Sequence, residues 1–295
     1  QTKKVAYSTF NQAVCALRFY YRHTQPMPWP VTMVPFGKRP RTLPTVLSRD
    51  EIDRLLQCTP NLKHRTFLMV LYSAGLRFSE AAHLRIADIG CGTGASTLVL
   101  AKTLDASVTA VDFLPDFLHD LDIAAARENL DQRIETLAAS MDALPFEAQS
   151  FDAIWSEGAI YNIGFANGIK AWRRFLKPDG ILAVSELTWL TRARPAELQQ
   201  HWMREYPEVD TASAKMAILE ENGFCPVGYF VLPKRCWLDN YYRPMQARFA
   251  AFLARNGNSE AAAAIVAAEE NEIALYERHS AFVSYGYYVA RRTAD

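Results

Sequence analysis

From Leu84 onward, short apolar runs alternate with stretches whose apolar residues recur at helical spacing. That is the pattern of a doubly wound parallel sheet, in which strand and helix follow one another. The strands predicted are Leu84–Ile89, Ser107–Asp112, Arg133–Ala138, Phe151–Ser156, Ile181–Leu187, Val227–Leu232 and Phe282–Arg291. Leu176-Lys177-Pro178-Asp179-Gly180 is predicted to turn into the fifth of them, and helices are expected over Ser96–Leu104, Met216–Gly223 and about Ser259–Ile273. Upstream the texture differs. Ala6–His23 has a helical pattern, and the prolines from Pro26 to Pro44 exclude regular helix after it because each lacks an amide donor. Ser48-Arg49-Asp50-Glu51 is a capping box ahead of Ile52, Leu55 and Leu56; further helices are expected over Leu62–Ala74, before Gly75, and Ser79–Leu84. The pattern thus divides the chain into a small all-α segment, 1–83, with a tail and linker over 1–45 and a second part over 46–83, and an α/β domain, 84–295, carrying a helical insertion at about 233–279.

Charge sharpens that division. Residues 1–87 hold 13 Lys and Arg against 4 Asp and Glu, and residues 88–295 hold 19 against 28, so balances of +9 and −9 cancel to a net charge of zero. A basic stretch of this kind suits nucleic acid, or else docking on the acidic domain of its own chain. The five cysteines, Cys15, Cys58, Cys91, Cys225 and Cys236, stand apart with no metal-ligand spacing, which suggests buried thiols in a reducing compartment. No apolar run reaches the roughly 18 residues that span a bilayer. The expectation is a cytoplasmic protein without a metal, with no membrane partner and with room for a homodimer.

Val46-Leu47-Ser48, Asn61-Leu62-Lys63-His64-Arg65 and, above all, Gly75-Leu76-Arg77-Phe78-Ser79-Glu80 resemble the start of the catalytic domain of tyrosine recombinases, the phage integrase family. The resemblance implies that Arg77 grips a DNA phosphate, a role for which a planar guanidinium fork is suited. It ends near Ile86. The family's downstream basic elements and tyrosine nucleophile have no counterpart in context, and His201-Trp202-Met203-Arg204 matches its His-x-x-Arg box only by coincidence. This segment is expected to bind DNA weakly and without cutting.

The first α/β strand ends in Asp88-Ile89-Gly90-Cys91-Gly92-Thr93-Gly94 and a helix follows. Glycines there let the backbone approach a ligand, and a helix start offers unpaired amides. Gly90-x-Gly92-x-x-Ala95 with Asp112 also fits a relaxed dinucleotide fingerprint, so the loop alone leaves two cofactors open. Asp112 ends the second strand, Ser140-Met141-Asp142 follows the third, Ser156-Glu157 ends the fourth and Lys177-Pro178-Asp179-Gly180 precedes the fifth. In that order they resemble class I S-adenosylmethionine (SAM) dependent methyltransferases, from residue 84 to the end, and Glu157-Gly158-Ala159-Ile160-Tyr161-Asn162-Ile163-Gly164 resembles a subgroup of small bacterial ones. The resemblance implies a Rossmann-like seven-stranded sheet with helices on both faces and SAM as cofactor. Asp88, Gly90, Cys91, Gly92 and Gly94 would hold the methionine end, Asp112 and Phe113 the ribose and one adenine face, Met141 and Asp142 the adenine edge. Ser156 would face the sulfonium.

Methyl transfer needs alignment and, where the acceptor starts protonated, a base. Glu157 and Tyr161 are the candidates for orienting or deprotonating the acceptor; His119 and His201 are expected to be structural. Trp189, Trp202, Tyr206, Trp237, Tyr241 and Tyr242 could line an acceptor pocket or belong to the core. The fourth strand runs into Ser156-Glu157-Gly158-Ala159, not the Pro-Pro-aromatic box of amino DNA methyltransferases, and the chain has no Pro-Cys dipeptide for the cytosine class. A small-molecule acceptor is therefore favoured over a DNA-directed or DNA-associated role. At Leu84–Ile89 the two resemblances overlap, as expected of a recombinase-like fragment fused in phase onto a methyltransferase-like domain.

Overall fold

The computed structural model describes residues 13–18, 48–58, 84–104 and 106–294. The expected helices over Leu62–Ala74 and Ser79–Leu84, the proline-rich linker and Arg77 lie outside the described residues. The chain divides into two compact units, Gln1–Arg54 and Leu55–Asp295. Residues 13–18 are helical. Helix α1 (Arg49–Cys58) starts at the expected capping box: the Glu51 amide donates to Ser48 Oγ (3.3 Å), and the Ser48 amide to Glu51 Oε2 (2.8 Å).

The second unit is built on one sheet. Its strands are β1 (Arg85–Ile89), β2 (Ser107–Asp112), β3 (Ile134–Ala138), β4 (Phe151–Ser156), β5 (Leu176–Trp189), the two-residue β6 (Asp210–Thr211), β7 (Phe224–Val231) and β8 (Val283–Arg292). The order is β3-β2-β1-β4-β5-β8-β7, with β6 paired to β5 off this path. All pairs are parallel except those of β8, which runs antiparallel to both β5 and β7. The seven expected strands are present, as a Rossmann-like mixed sheet.

Helices α2 (Ala95–Leu104) and α3 (Pro115–Arg127) cover one face, where Leu100, Ala101 and Leu121 pack on Ile86, Val108 and Ala183. Helices α4 (Phe165–Trp172) and α6 (Ala212–Glu221) cover the other, where Phe165, Ile169, Trp172 and Leu219 meet Ile89, Val111, Ile154 and Leu182. Strands buried on both faces give the unbroken apolar runs that the sequence displays. Leu176–Gly180 differs from the simple turn expected. Phe151 pairs with Leu176 but Ala153 with Ile181, so the intervening residues bulge within β5. Lys177 Nζ ties the bulge to Asp152 at 2.8 Å, and the other oxygen of Asp152 takes the Arg85 amide. Beyond the sheet lie α5 (Ala196–Glu205) and, between β7 and β8, a helical run over 234–246, α7 (Phe249–Arg255) and α8 (Glu260–His279). Trp202, Trp237, Tyr242, Ile273 and Tyr276 form a third apolar cluster there, against Leu187 and Val283.

Candidate active site

The turn after β1 is held by its neighbour strand: the amides of Gly90 and Cys91 both donate to the carbonyl of Val111, at 2.8 and 2.9 Å. Gly90, Gly92 and Gly94 all take positive φ, of 74°, 55° and 82°, a region that side chains disfavour. Asp112, at the end of β2, is fixed by two amides, with Gly92 N–H on Oδ2 and Leu114 N–H on Oδ1, each at 2.9 Å. Each oxygen keeps a second lone pair for a ligand.

Gly90, Cys91, Gly92 and Asp112 border a cavity of about 910 Å³ at the carboxyl ends of β1, β2 and β4, where open α/β sheets place their ligands. Of the residues expected to bind cofactor, Asp88, Gly90, Cys91, Gly92, Asp112, Phe113, Met141 and Asp142 line it, as do both acceptor-side candidates, Glu157 and Tyr161. Gly94 and Ser156 do not. A Cβ on Gly94 would lie 2.1 Å from Leu121, so this glycine admits close packing of α3, whereas a Cβ on Gly92 would meet nothing within 4 Å. Ser156 is fully buried, and its hydroxyl has no hydrogen-bond partner among the described residues. Asp88 is buried and accepts from Thr97 Oγ1 at 2.6 Å. Burial pushes the Cys91 thiol pKa up, with Asp88 and Asp112 adding to the effect, so it stays a neutral lining group. Phe113 is 74% exposed and, with the half-exposed Phe117, offers an apolar wall at the mouth.

A second cavity of about 480 Å³ shares Glu157, Gly158 and Tyr161 with the first. Glu157 accepts from the hydroxyl of Ser96, at the start of α2, and burial, reinforced by the nearby Glu157 carboxylate, pushes the Tyr287 hydroxyl pKa up. Of the aromatics expected as pocket or core, Trp202, Tyr206, Trp237 and Tyr241 line this chamber, while Trp189 and Tyr242 stand outside it. The sequence reading missed Tyr285 and Tyr287 of β8, Glu272 of α8 and Ser96. An alternating strand gives β8 an inward face, but only the tertiary fold shows that this face meets a cavity. His119 is exposed, and His201 has its pKa lowered by burial; neither borders either of these two cavities.

The sheet order, its reversed β8 and a cavity beyond the first glycine turn are those of the Rossmann-like fold that class I methyltransferases share. Residues 86–180 match the family described as a methyltransferase domain. The structure resembles a SAM-dependent methyltransferase from Geobacter sulfurreducens, solved in complex with S-adenosyl-L-homocysteine, with a TM-score of 0.66 and 16% identity over 82% of this chain and 97% of that one. Erythromycin 3''-O-methyltransferase of Saccharopolyspora erythraea is 30% identical over 125 residues, 40% of this chain and 41% of that protein. An N-terminal stretch is similar to something else: it is 42% identical over 88 residues to the putative integrase/recombinase y4qK of Sinorhizobium fredii, 30% of this chain and 29% of that protein. The chain thus spans less than half the length of either of these two relatives.

Proposed function

We propose that the second unit transfers a methyl group from SAM to a small-molecule acceptor. The observation that carries this reading is the placing of carboxylates at the start of α2. A dinucleotide would set its diphosphate against that helix start, but Asp88 and Glu157 border the cavity there, Glu157 holds the Ser96 hydroxyl and Asp112 holds the Gly92 amide. Two carboxylates repel a diphosphate and suit a cationic sulfur and an α-ammonium group. The cavity walls also fit the cofactor. Gly92 gives close backbone approach, Asp112 has lone pairs for ribose hydroxyls, Phe113 and Met141 can sandwich an adenine, and Asp142 can accept from its amine.

Bound there, SAM supplies a methyl group already activated by its positive sulfur. The chain's residues align the acceptor and exclude water. Glu157 and Tyr161, at the junction of the two cavities, are the groups that orient the acceptor or take its proton. Calorimetric titration of the protein with S-adenosylhomocysteine and with NAD tests the cofactor. We expect saturable binding of the first, weakened about 10-fold or more in Asp112→Ala, which removes a charge-assisted bonding group. Saturable NAD binding without S-adenosylhomocysteine binding would instead favour a dehydrogenase.

A second reading concerns residues 1–87, whose +9 balance and integrase-like stretch favour weak, sequence-independent DNA binding without strand cleavage, with Arg77 among the phosphate contacts.

A further inference from the structure

The second cavity has an unusual lining. Three carboxylates border it, Glu157, Glu205 and Glu272, and among the described residues no lysine, arginine or histidine does. Much of the rest is aromatic, including Trp202, Tyr206, Tyr241 and Tyr285. Glu272 takes the Tyr242 hydroxyl on Oε1 (2.9 Å), and its nearest basic group is His201 Nε2 at 3.9 Å from Oε2, an imidazole whose pKa burial lowers. Burial likewise raises the pKa of Glu272, so an incoming cation would stabilise its charged form. Glu205 is ion-paired at the rim, with Arg204 Nε at 2.8 Å.

We infer that this chamber receives a primary or secondary amine, entering as its ammonium form on an apolar body, and that the acceptor atom is nitrogen. This deepens the methyl-transfer reading and rests on it. Aromatic faces carry negative quadrupoles that attract ammonium groups, most strongly in a desolvated site. A carboxylate or phosphate acceptor would meet Glu157 and Glu272 with no cationic side chain in the lining, Glu205 alone being ion-paired, at the rim. An alcohol would gain neither attraction. About 480 Å³ accommodates an arylalkyl amine within the usual range of ligand pockets.

The chemistry balances. At the junction, the ammonium gives a proton to Glu157, and the nitrogen lone pair forms the N–CH3 bond as the CH3–S bond breaks. The products are the N-methylammonium ion and S-adenosylhomocysteine, and Glu157 releases the proton to solvent.

The test is calorimetry on the full chain saturated with S-adenosylhomocysteine, using two matched sets of probes. These are tryptamine, tryptophol and indole-3-acetate, and phenethylamine, 2-phenylethanol and phenylacetate. Each amine is expected to bind about 10-fold or more tighter than its alcohol, from a cation–π and charge gain of roughly 1.4 kcal/mol. Glu272→Gln, whose amide oxygen still accepts from Tyr242, should bring amine and alcohol within about 3-fold and leave S-adenosylhomocysteine affinity unchanged, since Glu272 borders only the second cavity. Glu205→Gln, on the half-exposed rim, should lower the preference by a smaller factor and serves if the first variant does not fold. Equal or tighter binding of the alcohols or acids, no binding of either amine, or an unchanged preference in both variants would overturn the assignment. Failure of S-adenosylhomocysteine itself to bind would overturn the cofactor reading, and this one with it.

Discussion

Gly92 and Gly94 are two residues apart in one turn, and both need a positive φ, yet they serve different ends. Gly92 faces the cavity and its missing Cβ leaves space; Gly94 faces α3 and its missing Cβ leaves room for Leu121. Alanine at Gly92, at φ 55°, should cost about 1 kcal/mol of stability from the left-handed backbone and weaken S-adenosylhomocysteine binding. Alanine at Gly94 adds a clash to the strain and should cost about 3 kcal/mol. Urea unfolding of the two variants beside calorimetry of Gly92→Ala checks the contrast; equal stability losses would mean that Gly94 is not a packing glycine. From sequence the two positions look alike, because a glycine pattern records backbone conformation and not what stands opposite. The same holds for Ser156 and Glu157. Ser156 closes β4 and Glu157 stands in the bend after it, and only the second reaches the cavities.

Strand β5 and helix α6 are joined by a buried ion pair, with Lys215 Nζ 3.4 Å from Glu186 Oε1 and both side chains essentially inaccessible. Lys215 also donates to the Glu208 carbonyl at 2.8 Å and lies over the ring of Phe165. Desolvation raises the pKa of Glu186, and the nearby Lys215 only partly opposes it. Removing the lysine leaves a buried carboxylate without its counter-ion. Lys215→Met is expected to lose about 3–5 kcal/mol near neutral pH. The sign of the pH effect follows from the raised pKa. The folded protein holds the Glu186 proton at pH values where the unfolded chain has lost it, so the penalty falls as pH drops through the folded value and is full above it. Urea unfolding of Lys215→Met and the parent at pH 5 and pH 8 should therefore give a larger difference at pH 8. A difference independent of pH would mean that Glu186 is not the strained partner. No strand or helix pattern announces this pair, since Glu186 and Lys215 lie in separate elements that are brought together only by packing.

On the scale of the whole chain, charge separates what the sheet does not. The basic balance of residues 1–87 predicts DNA binding that depends on counterion release, so anisotropy with a labelled duplex should detect binding at low salt that falls by roughly 10³-fold or more between 50 and 200 mM for six or more phosphate contacts. Arg77→Ala should lower both the affinity and the salt slope. Covalent protein–DNA adducts would refute a binding-only segment, and no binding even at low salt would refute the DNA reading altogether.

The positions of the strands, the glycine turn and the acids that border the first cavity were legible in the sequence, because parallel strands buried on both faces are apolar throughout and a turn at positive φ favours glycine. Asp112 and Glu157 announced themselves as acids at strand ends. The second cavity was not legible in the same way. It is assembled from the turn after β4, from β5, α5, the helical run after β7, α8 and β8, segments far apart in sequence, and its aromatics look like core until the space between them is seen. Tyr242 and Trp189 are core, while Tyr241 and Trp202 border the chamber. Local periodicity determines which residues turn inward within each element; whether inward means protein or cavity depends on what other elements leave unfilled, and only the tertiary structure decides that.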